Sequence, residues 1–135
     1  MKKLLSISYS QGAFNIAMLL LRVSFGVMMI PHGYDKLVKF AHMKSGFINF
    51  LGMGSTMSLA LDVFAEFFCS IFLIFGLFTR LVVIPLIIAM GVVVSIAHKY
   101  QIFGDGEHGA MYLAGFIVIL LLGPGKISVD GVVNK

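Results

Sequence analysis

Three ionisable residues stand where an apolar helix would exclude them. Arg22 interrupts the apolar run at 13–30, and Asp62 and Glu66 lie in the first half of the run at 59–78. An ionised side chain inside a bilayer costs about 2.5 to 3.5 kcal/mol on insertion scales, so each needs a partner or a wet site. Asp62 and Glu66 are four residues apart and share a helix face, where two carboxylates repel unless a cation or a proton lies between them. At about 1.5 Å rise per residue, Arg22 stands roughly 13 Å from the start of its helix and Glu66 roughly 18 Å from the end of its own. An arginine side chain closes that gap. The expectation is a buried Arg22–Glu66 ion pair, with Asp62 about one turn nearer the opposite surface.

The same ruler brings His32, His98 and His108 to within a turn or two of Asp62 in depth. Each histidine alone reads as an interfacial ring among headgroups. Their convergence with the acids also marks a polar intramembrane site, made of Arg22, His32, Asp62, Glu66 and His98. Protonatable groups at headgroup depth beside an apolar cavity suit chemistry on a quinone-like molecule. No metal is assigned, because no H-x-x-x-H or H-x-x-E pair presents two ligands one turn apart. Asp105, Glu107 and His108 lie in a glycine-rich connection that reads equally as a solvated turn. No nucleophile elbow, P-loop or dinucleotide fingerprint occurs. The single cysteine, Cys69, permits no intramolecular disulfide or dithiol, so redox chemistry has to come from a bound molecule or a partner.

The elements that must position these groups follow from composition. Of 135 residues, 59% are hydrophobic and 12% charged, with a mean hydropathy of +1.02; soluble domains carry about 25% charge. The bilayer is the expected solvent, and a conventional water-soluble enzyme is excluded. At about 20 residues per span, the runs at 13–31, 59–78, 81–98 and 109–123 make four helices of one domain, residues 1–135. None shows the dyad alternation of a barrel strand. The fold class expected is therefore all-α: an antiparallel four-helix integral membrane bundle. Lys2 and Lys3 before the first run resemble a secretory signal, but Arg22 and the lack of a cleavage site favour a retained span.

Between helices one and two, Phe40, Met43, Phe47, Ile48 and Leu51 fall at helical spacing. They predict a short amphipathic helix in the interface, or else a loop whose apolar residues touch the bundle. Gly76 through Arg80 makes a tight turn in which Thr79 can cap the next helix. Gly26, Gly76, Gly91 and Gly115 read as close helix contacts. Pro124 stops the fourth helix, and Ser128 and Asp130 either cap or pair with Arg80, or belong to a plain surface tail. The net charge of +4 comes from scattered basic residues that suit anionic lipid headgroups and not nucleic acid. Lys2, Lys3, Arg80, Lys126 and Lys135 share the side of the termini against Lys36, Lys39, Lys44 and Lys99 on the other, a bias of one toward cytoplasmic termini.

Taken in order, these landmarks resemble the DoxX family of small four-helix membrane proteins. They are Arg22 within Leu21–Val23, the run His32, Gly33, Tyr34, Asp35, Lys36, Leu37, then Glu66, the turn from Gly76 to Thr79 and Arg80, His98, and the tail Gly123, Pro124, Gly125 through Asp130. The tail has Lys126 and Ile127 where the family often has arginine and an aromatic, and Asp62 is not a family landmark. The resemblance implies an inner-membrane, multi-pass protein. It also implies a membrane subunit of a thiosulfate:quinone oxidoreductase or of an oxidative-stress complex, with a soluble oxidoreductase as partner and quinone as ligand. Such a chain would be a subunit and not a self-sufficient enzyme. The competing reading is a non-catalytic scaffold or lipophile-binding protein whose Arg22–Glu66 pair fixes helix register. A transporter is the weaker third reading, since four helices without a repeat would have to form a homo-oligomer to alternate access.

Overall fold

The computed structural model describes residues 2–49, 51–97, 104 and 106–134, and all regular structure among them is helical. Helix α1, Gln11–Val38, begins at Ser10, whose hydroxyl accepts from the Ala13 amide at 3.0 Å. It continues through Pro31, the last residue of the span expected at 13–31. Proline removes one backbone donor, a loss that apolar spanning helices tolerate. The extra turns carry Lys36 on the helix, one turn beyond His32 and on the same face.

After α2, a single turn at Phe40–Met43, the chain enters the second rod, Ser55–Phe75. This rod is α3, Ser55–Val63, then a π-helical segment at Phe64–Cys69, then α4, Ser70–Phe75. The expected amphipathic helix does not extend past Met43. Gly46, Gly52 and Gly54 disfavour helix there, and side chains lock a loop instead, with Ser55 Oγ donating to the Lys44 carbonyl at 2.5 Å and the Gly54 amide donating to Asn49 Oδ1 at 2.8 Å. Phe47 and Ile48 are half-buried, while Leu51 is exposed.

The second rod ends in a left-handed residue, Gly76 at φ 70°, with the Leu77 amide bonded to the Phe72 carbonyl at 2.9 Å. That is the glycine-terminated turn expected from the sequence. Helix α5, Thr79–Val92, continues into a π-helical stretch at Val93–Ala97; α6 is Glu107–Leu122 and α7 is Val129–Val133. Thr79 is not the cap of α5. Its hydroxyl is buried without a hydrogen bond among the described residues, and Asp130 caps the helix from the tail.

Two rods, Gln11–Val38 and Ser55–Phe75, are long and apolar enough to cross a bilayer, and two shorter apolar helices, Thr79–Ser95 and Glu107–Leu122, accompany them. At 1.5 Å per residue the first two measure about 42 and 31 Å. Contacts step up α1 as they step down the second rod: Gly26 on Ile74, Gly33 on Glu66, Lys36 on Asp62. Helix α5 packs on α6 and on the π segment. Met29, Cys69, Leu73, Leu86, Phe116 and Ile119 form the shared core.

The surface is inverted relative to a water-soluble protein. Leu20, Leu81 and Leu121 are 69%, 67% and 70% exposed, whereas Arg22 and Glu66 are 1% and 2% exposed. Apolar side chains outside and charges inside are the distribution a lipid solvent selects. Gly26 and Gly115 do sit at close contacts, but a β-carbon at Gly91 would meet nothing within 4 Å, so that glycine is no packing site.

Candidate functional site

The charged centre is built on Lys36. Its ammonium nitrogen lies 2.5 Å from Asp62 Oδ2 and 2.7 Å from Glu66 Oε2, with the acids' side chains 10% and 3% exposed. The two carboxylates therefore approach within about 5 Å of each other. Two full charges at that separation repel by roughly 3 kcal/mol at an effective dielectric constant near 20. Lys36 offsets this from between them. The phenyl ring of Phe47, folded in from the loop after α2, lies 5.8 Å from the same nitrogen.

Backbone geometry brings α1 close enough for this contact. Gly33 faces the peptide between Glu66 and Phe67, where a β-carbon would stand 2.6 Å from the Phe67 nitrogen and 2.7 Å from the Glu66 carbonyl carbon. Only glycine allows that approach. Glu66 itself sits in the π-helical segment, a distortion found often at functional positions in helices.

A cavity of about 640 Å³ opens beside these charges, within the range of small-molecule sites. Leu61, Phe64, Pro85, Ile88, Ala89 and Met90 supply apolar lining; His32, Lys36, Asp62, Glu66, His108 and Tyr112 supply polar lining. Tyr112 is held by edge contact with Phe25 at 5.6 Å and stacking on Phe116 at 6.0 Å between centroids, and the His32 ring meets its edge at 6.1 Å. Among the described residues no group of three His, Cys, Asp or Glu side chains is placed to hold a metal ion.

Arg22 is not part of this centre, and the expected Arg22–Glu66 pair does not form. Its guanidinium donates instead to the carbonyls of Pro124 at 2.7 Å, Ile127 at 2.9 Å and Ile74 at 3.4 Å. The reason is axial: Arg22 and Lys36 are about 21 Å apart along α1, and the chain after Leu122 folds back to the depth of Arg22. Gly76 makes room there, since a β-carbon would press on Ser128 and on the Arg22 guanidinium.

The tail is thus a folded lock and not a surface extension. Asp130 accepts from the Phe78 and Thr79 amides, both at 2.8 Å, and its own amide bonds the Gly76 carbonyl at 2.9 Å. The Lys126 amide reaches Asn15 Oδ1 at 3.0 Å, and Gly125 packs on Met18. Asp130 does not pair with Arg80, which donates to the Leu121 carbonyl at 3.4 Å and lies against Gly123.

Of the five residues expected at the site, the structure gathers His32, Asp62 and Glu66, sends Arg22 to the tail, and leaves His98 outside the described residues. Lys36 and Tyr112 were missed as site residues. The signal for Lys36 was its spacing four residues after His32, hidden by the assumption that Pro31 ends the helix. Tyr112 carried one too: it lies four residues after His108 on one face of α6.

The DoxX family model matches residues 17–99, more than half of the chain. No curated protein and no solved structure matches it. The matched stretch spans Arg22, the His32–Leu37 run, the Glu66 turn of helix and the Gly76–Arg80 connection; His32, Lys36 and Glu66 line the cavity, and Arg22, Gly76 and Thr79 hold the tail. With its apolar helices turned outward around them, the chain belongs to the DoxX family and is a membrane protein.

Proposed function

We propose that the chain is an antiparallel four-helix bundle of the inner membrane that binds a small lipophile with a polar head, and that it serves as the membrane subunit of a quinone-linked redox complex. The observation carrying this reading is the cavity itself, lined by apolar side chains and by the polar groups Lys36, Asp62, Glu66, His32, His108 and Tyr112. A quinone is the class that fits: a flat apolar ring and tail for the apolar lining, with carbonyl oxygens for the donors. When bound, it would supply the electron-accepting chemistry. The chain's own groups bind, orient and exchange protons. Cys69, its single thiol, is buried in the core away from the cavity lining, so electrons would arrive from a soluble oxidoreductase docked on the bundle.

Lipid on the outer surface and cytoplasmic termini complete the reading. With Lys36 committed to the cavity, the basic residues on the side of the termini outnumber the remaining lysines opposite by five to three in the sequence.

A non-catalytic lipophile-binding scaffold is the second reading, favoured by the Arg22 lock, which uses a buried charge for architecture alone. The two separate in one experiment. Protein reconstituted in lipid with a short-chain quinone should bind it, and Glu66→Gln should weaken binding or quinone-linked turnover by about tenfold or more. Binding unaffected by Glu66→Gln, with no change in turnover, favours the scaffold; no quinone binding by the unaltered protein contradicts the proposal.

A further inference from the structure

We infer that Asp62 and Glu66 hold one proton between them in the resting protein, and that this proton makes the pair a hydrogen-bond donor to an acceptor group in the cavity. Two carboxylates meet a single ammonium, that of Lys36, at 2.5 and 2.7 Å. No other ion pair to either acid occurs among the described residues.

Among the described residues, helix α1 contributes His32 and Lys36 to the lining, α3 contributes Ser58 and Asp62, the π segment at Phe64–Cys69 contributes Glu66, and α6 contributes His108 and Tyr112. From α5 come only apolar groups, Pro85, Ile88, Ala89 and Met90 among them. Arg22, the other buried cation among the described residues, donates to the carbonyls of the tail. His32 and His108 are exposed, whereas Glu66 is deep.

With both acids ionised the centre would carry one unmatched negative charge against an apolar wall. Two carboxylates about 5 Å apart, with one ammonium between them and apolar walls around, favour keeping one proton on the pair. One carboxyl and one carboxylate around one ammonium leave the centre neutral, which is the state a membrane interior favours. The retained O–H, together with the Lys36 ammonium, gives the cavity hydrogen-bond donors. The matching occupant is a neutral molecule with an acceptor oxygen at its head, as a quinone carbonyl provides. In naming that occupant the inference rests on the ligand-binding reading above. The proton count itself needs no ligand.

Infrared spectroscopy of ligand-free protein in lipid at neutral pH, with hydrogen–deuterium exchange, tests it separately from quinone binding. The unaltered protein should show a carboxylic-acid carbonyl band equal to one group per chain. Asp62→Asn and Glu66→Gln should each abolish it, because one acid then matches one ammonium. Lys36→Met should double it. Absence of the band from the unaltered protein, as when a histidine carries the proton, overturns the inference before any variant is made. So does a band that survives unchanged in both Asp62→Asn and Glu66→Gln.

Discussion

Gly33 lies flat against the peptide joining Glu66 to Phe67, with no room for a β-carbon between the two backbones. This contact sets the distance at which Lys36, one turn along α1, meets Glu66 and Asp62.

Gly33→Ala should therefore damage the site as well as the fold. The atoms it would strike are backbone and cannot rotate away, so the overpacking cost is about 1 to 3 kcal/mol. Displaced α1 also carries Lys36 off its acids. Thermal unfolding in detergent should show the loss, and Gly91→Ala is the control. With nothing within 4 Å of its β-carbon and ordinary helical backbone, it should be neutral or stabilising by up to about 1 kcal/mol.

Arg22→Met should release the C-terminal tail. It takes the charged donor away from the carbonyls of Pro124 and Ile127, and a hydrogen bond to a charged group contributes roughly 1.5 to 3 kcal/mol. Limited proteolysis should then cut near Lys126 much faster than in the unaltered protein. Arg22→Lys should rescue only partly, since an ammonium lacks the planar fork that reaches both carbonyls. Glu66→Gln should leave the tail protected, which an Arg22–Glu66 pair would not allow.

Asp130→Ala removes both caps from the start of α5, the Phe78 and Thr79 amides. A lost cap costs about 0.5 to 2 kcal/mol, and the melting temperature should fall accordingly. Asp130→Asn, with one acceptor oxygen in place of two, should fall between.

Lys36→Met strands two acids without their shared cation, and breaking a buried pair in this way costs roughly 3 to 5 kcal/mol. Adding Glu66→Gln to Lys36→Met should recover a large part of that loss. A Lys36→Met protein as stable as the original would show that the acids do not depend on Lys36.

Much of the architecture was readable in the sequence because it follows from solvent: low charge and four apolar runs leave helices as the economical answer. The Gly76 turn was readable too, from the glycine that its left-handed backbone requires. The pairing of charges was not. Helical rise gives depth along each helix, but a run that stops at Pro31 leaves Lys36 off the helix, whereas an apolar medium lets the helix pass through the proline. The tail was equally opaque. Its glycines and Asp130 look like any helix stop until the chain folds back to Arg22, a contact between residues more than a hundred positions apart that no local pattern encodes.

The most direct measurement is the lipophile content of the protein itself. Gently extracted into lipid nanodiscs and analysed by mass spectrometry, the chain should carry a quinone-class lipophile at close to one per bundle. Ala89→Phe, which fills the cavity from its apolar wall without touching a charge, should lower that content at least tenfold while the helical fold persists. An unaltered protein with no such lipophile, or an Ala89→Phe protein that holds as much as the original, would contradict a ligand site between α1, α3, α5 and α6.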